Sequence, residues 1–225
     1  AYNIYVGLNI IGVAIGFYLS NVIQKPSFAT IFIFIAASLY FYATTLKKML
    51  LLGNILVAFI LGLSVLIIGV FDLYPATYDG NRDKMGLLFK ILTDYAVFAF
   101  VLNLIREIIK DAEDIKGDYN QGMQTLPIVL GVNRTAKIVF SLVAIAVAIV
   151  LWYTNKHLMG FDLYYAVLYV LFLVLGPLLY VLIKSWNAKS VSDFHHLSTI
   201  LKWVIFFGIL SIAVITYNIK INTNA

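Results

Sequence analysis

Residues 87–118 read LLFKILTDYAVFAFVLNLIREIIKDAEDIKGD, a membrane-length apolar stretch that runs directly into Asp111, Asp114 and Asp118. Negative charge gathered so closely is costly without a cation beside it. On a helix turning ~100° per residue these three positions fall within an arc of roughly 60°, and Glu107 and Asn103 extend the stripe one and two turns back. One face therefore collects the anionic oxygens. Hard oxygen ligands suit Mg²⁺, which keeps several waters, is held by one or two carboxylates and spends its remaining positions on a substrate phosphate. The spacing predicts a diphosphate site bridged by metal.

The composition says where that site sits. With 62% hydrophobic and 12% charged residues and a mean hydropathy of +0.94, the chain is far more apolar than a soluble domain, where ~45–50% is apolar and ~25% charged. It reads as an all-α, polytopic transmembrane helical bundle. Windows of ~20 residues give seven candidate spans. They run from Tyr2 to Ile23, Phe28 to Leu46, Leu50 to Phe71, Leu87 to Ile109, Thr135 to Tyr153, Leu163 to Ile183 and Ile200 to Tyr217. The longer links are Asp72 to Gly86 and residues 110–134, and the second carries the acidic motif. A pI of 9.2 and a net charge of +5 fit membrane orientation rather than nucleic acid, because the basic residues lie between apolar runs. Cys is absent, which excludes disulfides and thiolate metal sites.

Alternate links carry unequal positive charge. One side takes Lys47, Lys48, Arg106, Lys110, Lys116, Arg134, Lys137, Lys184, Lys189 and Lys202; the other takes Lys25, Arg82, Lys84, Lys90, Lys156 and Lys220. The richer side is expected to be cytoplasmic, which puts the 110–134 loop there, in a multi-pass plasma-membrane protein of bacterial or archaeal type. No basic leader or small-residue cleavage site precedes the first apolar run, so it does not read as a signal peptide, and the chain looks like a piece without its own start.

The segment from Arg106 through Asp111, Asp114 and Asp118, followed by Gln124-Thr125-Leu126-Pro127 and Gly131, resembles the second aspartate-rich motif of the UbiA superfamily of intramembrane prenyltransferases. Tyr42 to Lys47 and Lys48, then Gly53-Asn54, is similar to that family's Tyr-to-Lys segment and the Gly-Asn opening the next helix. The resemblance implies nine helices and two aspartate-rich motifs, so seven spans with the motif after the fourth would be a partial domain over 1–225, lacking the first two helices and the first motif. It implies Mg²⁺-dependent prenyl transfer from a prenyl diphosphate to a lipophilic acceptor in the lipid bilayer, with no obligate protein partner. Asp111, Asp114 and Asp118 would hold the metal as catalytic groups. Lys47, Lys48, Arg106 and Lys110 would meet phosphate oxygens, with Tyr42, Asn54 and Asn103 lining the substrate. The wording of the motif favours geranylgeranyl transfer to geranylgeranylglycerol phosphate, ahead of quinone-precursor (4-hydroxybenzoate or naphthoate type), haem or chlorophyll prenylation.

Competing readings stay in view. The cluster could be a solvated loop, or a transporter's acidic cation site, although transport carboxylates normally lie at mid-membrane depth. Lys47 and Lys48 could be topogenic anchors, and Asn103 and Asn54 helix-packing groups. Asp94 lies ~100° from Asp111 and reads as a packing residue. Gly117 is expected to end the helix or turn the loop, and Pro127 to bar a regular helix before the next span. His195 and His196 point apart on a helix, which argues for surface roles rather than a shared metal.

Overall fold

The computed structural model describes residues 2–224, which are helical along almost their whole length. Among the described residues seven helical segments are long and apolar enough to cross a membrane, the number expected from hydropathy. In lipid every backbone N–H and C=O must be satisfied within the segment, so an apolar run of this length has no alternative to helix. The chain divides into two compact units, Ala1–Phe100 and Val101–Ala225.

In the first unit, α1 (Tyr2–Val22) ends at Gln24, whose φ of 57° reverses the chain ahead of Lys25 and Pro26. Pro26 opens a tight turn that feeds α2 (Ala29–Thr44), where its missing N–H costs nothing. These two helices approach closely because residue 16 is glycine; a Cβ there would collide with the Phe32 ring. Ser20, fully buried nearby, donates its hydroxyl to the Gly16 carbonyl at 2.7 Å, which satisfies the group without water. A single turn, Leu46–Lys48, leads to α3 (Leu52–Ile68), which continues through a π-helical turn at Gly69–Leu73. Gly62 of α3 lies against α4 (Arg82–Glu113), where a Cβ would stand 2.9 Å from the Ala96 carbonyl oxygen. Small residues at such points are what drives helix association in lipid, where apolar burial offers no gain over acyl chains.

The second unit holds the end of α4 and then α5 (Ile115–Asn120), α6 (Leu126–Leu130), α7 (Val132–Tyr153), α8 (Tyr164–Val170), α9 (Gly176–Ser185) and α10 (Val191–Asn224). Ile105, Ile108 and Ile109 of α4, Val139 and Val143 of α7, Leu178 and Val181 of α9, and Leu197, Leu201 and Val204 of α10 are almost wholly buried, at helical spacing on each element. α10 packs on α8 and α9, and α7 on α9. Helices α8 and α9 form one span, joined by a π-helical turn at Leu171–Leu175 just before Pro177. Pro177 cannot donate to a carbonyl one turn back, and the wider turn absorbs that missing bond. The N-terminus of α8 is completed from far along the chain: the Ala166 N–H donates to Oδ1 of buried Asn218 at 3.1 Å.

Residues 110–134 differ from the loop expected of them. They are helical apart from a bend at Asp114, the turn 121–125 and Gly131. Gly117 does not end the helix but lies inside α5; the turn falls instead at Gly122, whose φ of +67° needs a residue without a Cβ. Pro127 does not bar helix either. It sits in the first turn of α6, where no N–H is required of it, and Gly131 at φ +82° separates α6 from α7. The spans around the motif also run longer than the apolar windows, since helices can project past the hydrocarbon into water.

Candidate active site at the end of the fourth span

Asn103, Arg106, Lys110 and Asp111 occupy the last three turns of α4, with Asn103 buried and the other three half-buried. Ile105, Ile108, Ile109 and Ala112, all but inaccessible, fix the opposite stripe against the core and so set the phase of the polar one. At Asp114 the helix is interrupted (φ −93°, ψ 8°), and α5 starts afresh at Ile115. The Asp114 N–H donates to the Lys110 carbonyl at 2.8 Å and the Asp118 N–H to the Asp114 carbonyl at 3.1 Å. Asp111 therefore lies in the last turn of α4, Asp114 stands at the break and Asp118 lies in the first turn of α5, all within one short stretch of chain. Asp114 is exposed; Asp111 and Asp118 are half-buried.

The far side of α5 is different. Ile115, Lys116, Tyr119 and Asn120 join Pro127 and Ile128 of α6 around an open groove of about 520 Å³. The bend between α5 and α6 is held by the Met123 N–H donating to the Asp118 carbonyl at 3.0 Å, with the Met123 side chain buried. Two buried polar atoms here have no hydrogen-bond partner: Nε of Arg106 and the hydroxyl of Thr125. The Arg106 Nη1 stands 3.7 Å from Oε1 of its neighbour Glu107, a loose pair that leaves most of the guanidinium fork to other acceptors. Among the described residues no group of three His, Asp or Glu side chains converges into a metal cage, so Asp111, Asp114 and Asp118 are neighbours in the chain without closing on one point.

The remaining sequence-selected residues lie in the first unit. Tyr42 is half-buried on α2, Lys47 and Lys48 are exposed in the Leu46–Lys48 turn, and Asn54 is half-buried in the first turn of α3. Tyr42 closes over the start of α3, because a Cβ on Gly53 would meet its ring and the Leu46 carbonyl at 3.1 Å. Sequence reading missed one contact outright. Glu113, the last residue of α4, accepts a 2.7 Å hydrogen bond from Nδ1 of His195 on α10. His196 turns the other way, its Nε2 3.0 Å from the Tyr180 hydroxyl, as neighbouring helical positions require. Nothing local in the sequence marks either partner.

Among the described residues, seven helical segments able to cross a membrane, with acidic side chains at the end of the fourth, define an integral membrane helical protein. The UbiA prenyltransferase family model matches residues 1–205, and the chain belongs to that family. Among curated proteins it is similar to a digeranylgeranylglyceryl phosphate synthase of Thermococcus gammatolerans, 33% identical over 77% of this chain and 56% of the relative. A protein of the same name from Methanobrevibacter smithii is 30% identical over 94% of this chain and 69% of the relative. The chain thus spans between about half and two thirds of the length of these relatives. No solved structure matches it.

Proposed function

We propose that this protein transfers a prenyl group from a prenyl diphosphate to a lipophilic acceptor with the help of Mg²⁺, and that the group is geranylgeranyl and the acceptor geranylgeranylglycerol phosphate. The observation that carries this is the gathering of Asp111, Asp114 and Asp118 at the end of α4 and the start of α5, where an apolar span ends. The names of the two relatives support the substrates. A transporter reading gains nothing from carboxylates placed at a span's end.

The donor set fits Mg²⁺ in kind. All the ligands are carboxylate oxygens, and their partial exposure leaves room for water and phosphate oxygens, which suits a cation held by one or two carboxylates rather than by a closed protein cage. Once bound, the ion supplies Lewis-acid stabilisation of the charge that grows on the departing diphosphate. Asp111, Asp114 and Asp118 would hold it at the junction of α4 and α5. Arg106, whose Nε lacks a protein acceptor, would donate to a phosphate oxygen, and Lys110, Lys47 and Lys48 would add mobile positive charge. Tyr42, Asn54 and Asn103 would orient the substrates. The allylic carbon–oxygen bond would break with its electron pair leaving on diphosphate, and the acceptor hydroxyl oxygen would bond the allylic carbon as its proton passes to the departing diphosphate. Because Lys and Arg concentrate on the motif side, that side is assigned to the cytoplasm, where a water-soluble diphosphate head would arrive.

The test supplies labelled prenyl diphosphates of graded length and glycerol-phosphate ether lipid to the purified full-length protein in lipid, with Mg²⁺ or with EDTA. Label should enter the acceptor only with Mg²⁺, and Asp114→Asn and Asp118→Asn should each lower the rate by at least about 100-fold, as expected when an electrostatic stabiliser of the transition state is lost. Equal turnover after chelation, or in the Asn variants, overturns the proposal.

A further inference from the structure

We infer that His195 is a positioning residue for the carboxylate motif, acting through Glu113; the inference rests on the metal-binding part of the proposed function. Glu113 is the final residue of α4, directly before the bend at Asp114. On the helix it lies ~200° from Asp111, so it points away from the carboxylate line and toward α10. Its side chain is four-fifths buried, and a carboxylate so placed needs a donor.

His195 supplies that donor from 82 positions along the chain, at 2.7 Å. An ionised Glu113 can only accept, so Nδ1 of His195 bears the shared hydrogen. The backbone that carries the imidazole is itself anchored. The start of α10 is locked by a reciprocal cap in which the Asp193 N–H donates to Oγ of Ser190 at 3.1 Å and the Ser190 N–H donates to Oδ2 of Asp193 at 2.9 Å. The Lys189 N–H adds a 3.0 Å bond to the same carboxylate oxygen. A rigid helix start thus presents His195, His195 grips the last residue of α4, and the direction in which α5 leaves the bend follows. That direction decides how Asp118 stands relative to Asp111. Partners of this outer kind commonly change metal affinity by ~10–100-fold when removed.

The experiment uses Mn²⁺ as a paramagnetic stand-in for Mg²⁺ and measures its binding to the full-length protein in nanodiscs by EPR, with no substrate present. Because the His195 side chain is 70% exposed, His195→Ala leaves the core intact, and thermal melts of each variant report that directly. His195→Ala should weaken Mn²⁺ binding by about 10-fold. His195→Asn, whose amide N–H can take the place of Nδ1–H, should bind within about threefold of the wild type, and Glu113→Gln, which keeps an acceptor oxygen, should do likewise. In turnover assays the Mg²⁺ concentration for half-maximal rate should rise in His195→Ala while kcat at saturating Mg²⁺ changes little. Wild-type affinity in His195→Ala, or a loss that His195→Asn fails to restore, overturns the positioning role alone. A wild-type protein that binds no Mn²⁺ overturns it together with the metal reading beneath it.

Discussion

Asn218 shows how much a single polar residue can settle in a chain this apolar. It is buried, its Oδ1 takes the Ala166 N–H at the start of α8, and its Nδ2 reaches Oδ1 of Asn222 at 3.4 Å. The first turn of any helix leaves N–H groups unpaired, and here no local side chain caps them. Truncating the amide strands a buried donor, at a cost of about 1–3 kcal/mol. Asn218→Ala should therefore lower the thermal midpoint in detergent, and Asn218→Asp, which keeps the oxygen, should recover part of the loss. Equal melting of wild type and Asn218→Ala would show that water reaches the Ala166 amide.

At the scale of elements, the close approaches of helices depend on what is missing from their surfaces. Large apolar side chains such as Ile4, Phe17, Phe34 and Phe172 are exposed in number. They give no preference for one neighbour over another, because hydrocarbon is as good a partner. Gly62 does give one, since its bare backbone lets the Ala96 carbonyl come near. Gly62→Val would place a branched side chain where even a Cβ stands 2.9 Å from backbone oxygen. Overpacking of that sort costs ~1–3 kcal/mol. Faster hydrogen exchange of α3 amides in Gly62→Val is the expected outcome, and unchanged protection would mean that the two helices slide apart freely. The cap at the start of α10 is the polar counterpart: it fixes where a long helix begins, and with it the height of His195.

For the whole molecule, orientation in the membrane is the property that function needs most. These 225 residues contain no cysteine, so one introduced here, compared with the unsubstituted protein as the background control, reports its own position. Tyr119, 71% exposed beside the motif, and Lys156, exposed near the far end of the fifth span, should lie on opposite sides of the bilayer. In intact cells a membrane-impermeant maleimide should label Lys156→Cys and spare Tyr119→Cys, and inverted vesicles should give the reverse. The opposite pattern would put the motif outside and sink the assignment drawn from Lys and Arg.

The sequence by itself determined the seven spans and the acidic motif at the end of the fourth, since both are written in consecutive residues: hydropathy over ~20 positions and carboxylates at helical spacing. It could not settle the course of residues 110–134, because glycine and proline only permit a turn or a helix start; Gly117 ended up inside a helix and Gly122 at the turn. Nor could it tell which face of each span packs, because helices surrounded by lipid are apolar on all sides and lose the periodic contrast that marks a buried stripe in water. The grip of His195 on Glu113 and of Asn218 on Ala166 joins positions 82 and 52 residues apart. Only tertiary structure decided these pairs, for a polar group buried in a helical bundle bonds to whatever packing brings beside it, and packing distance is not a property of neighbouring residues.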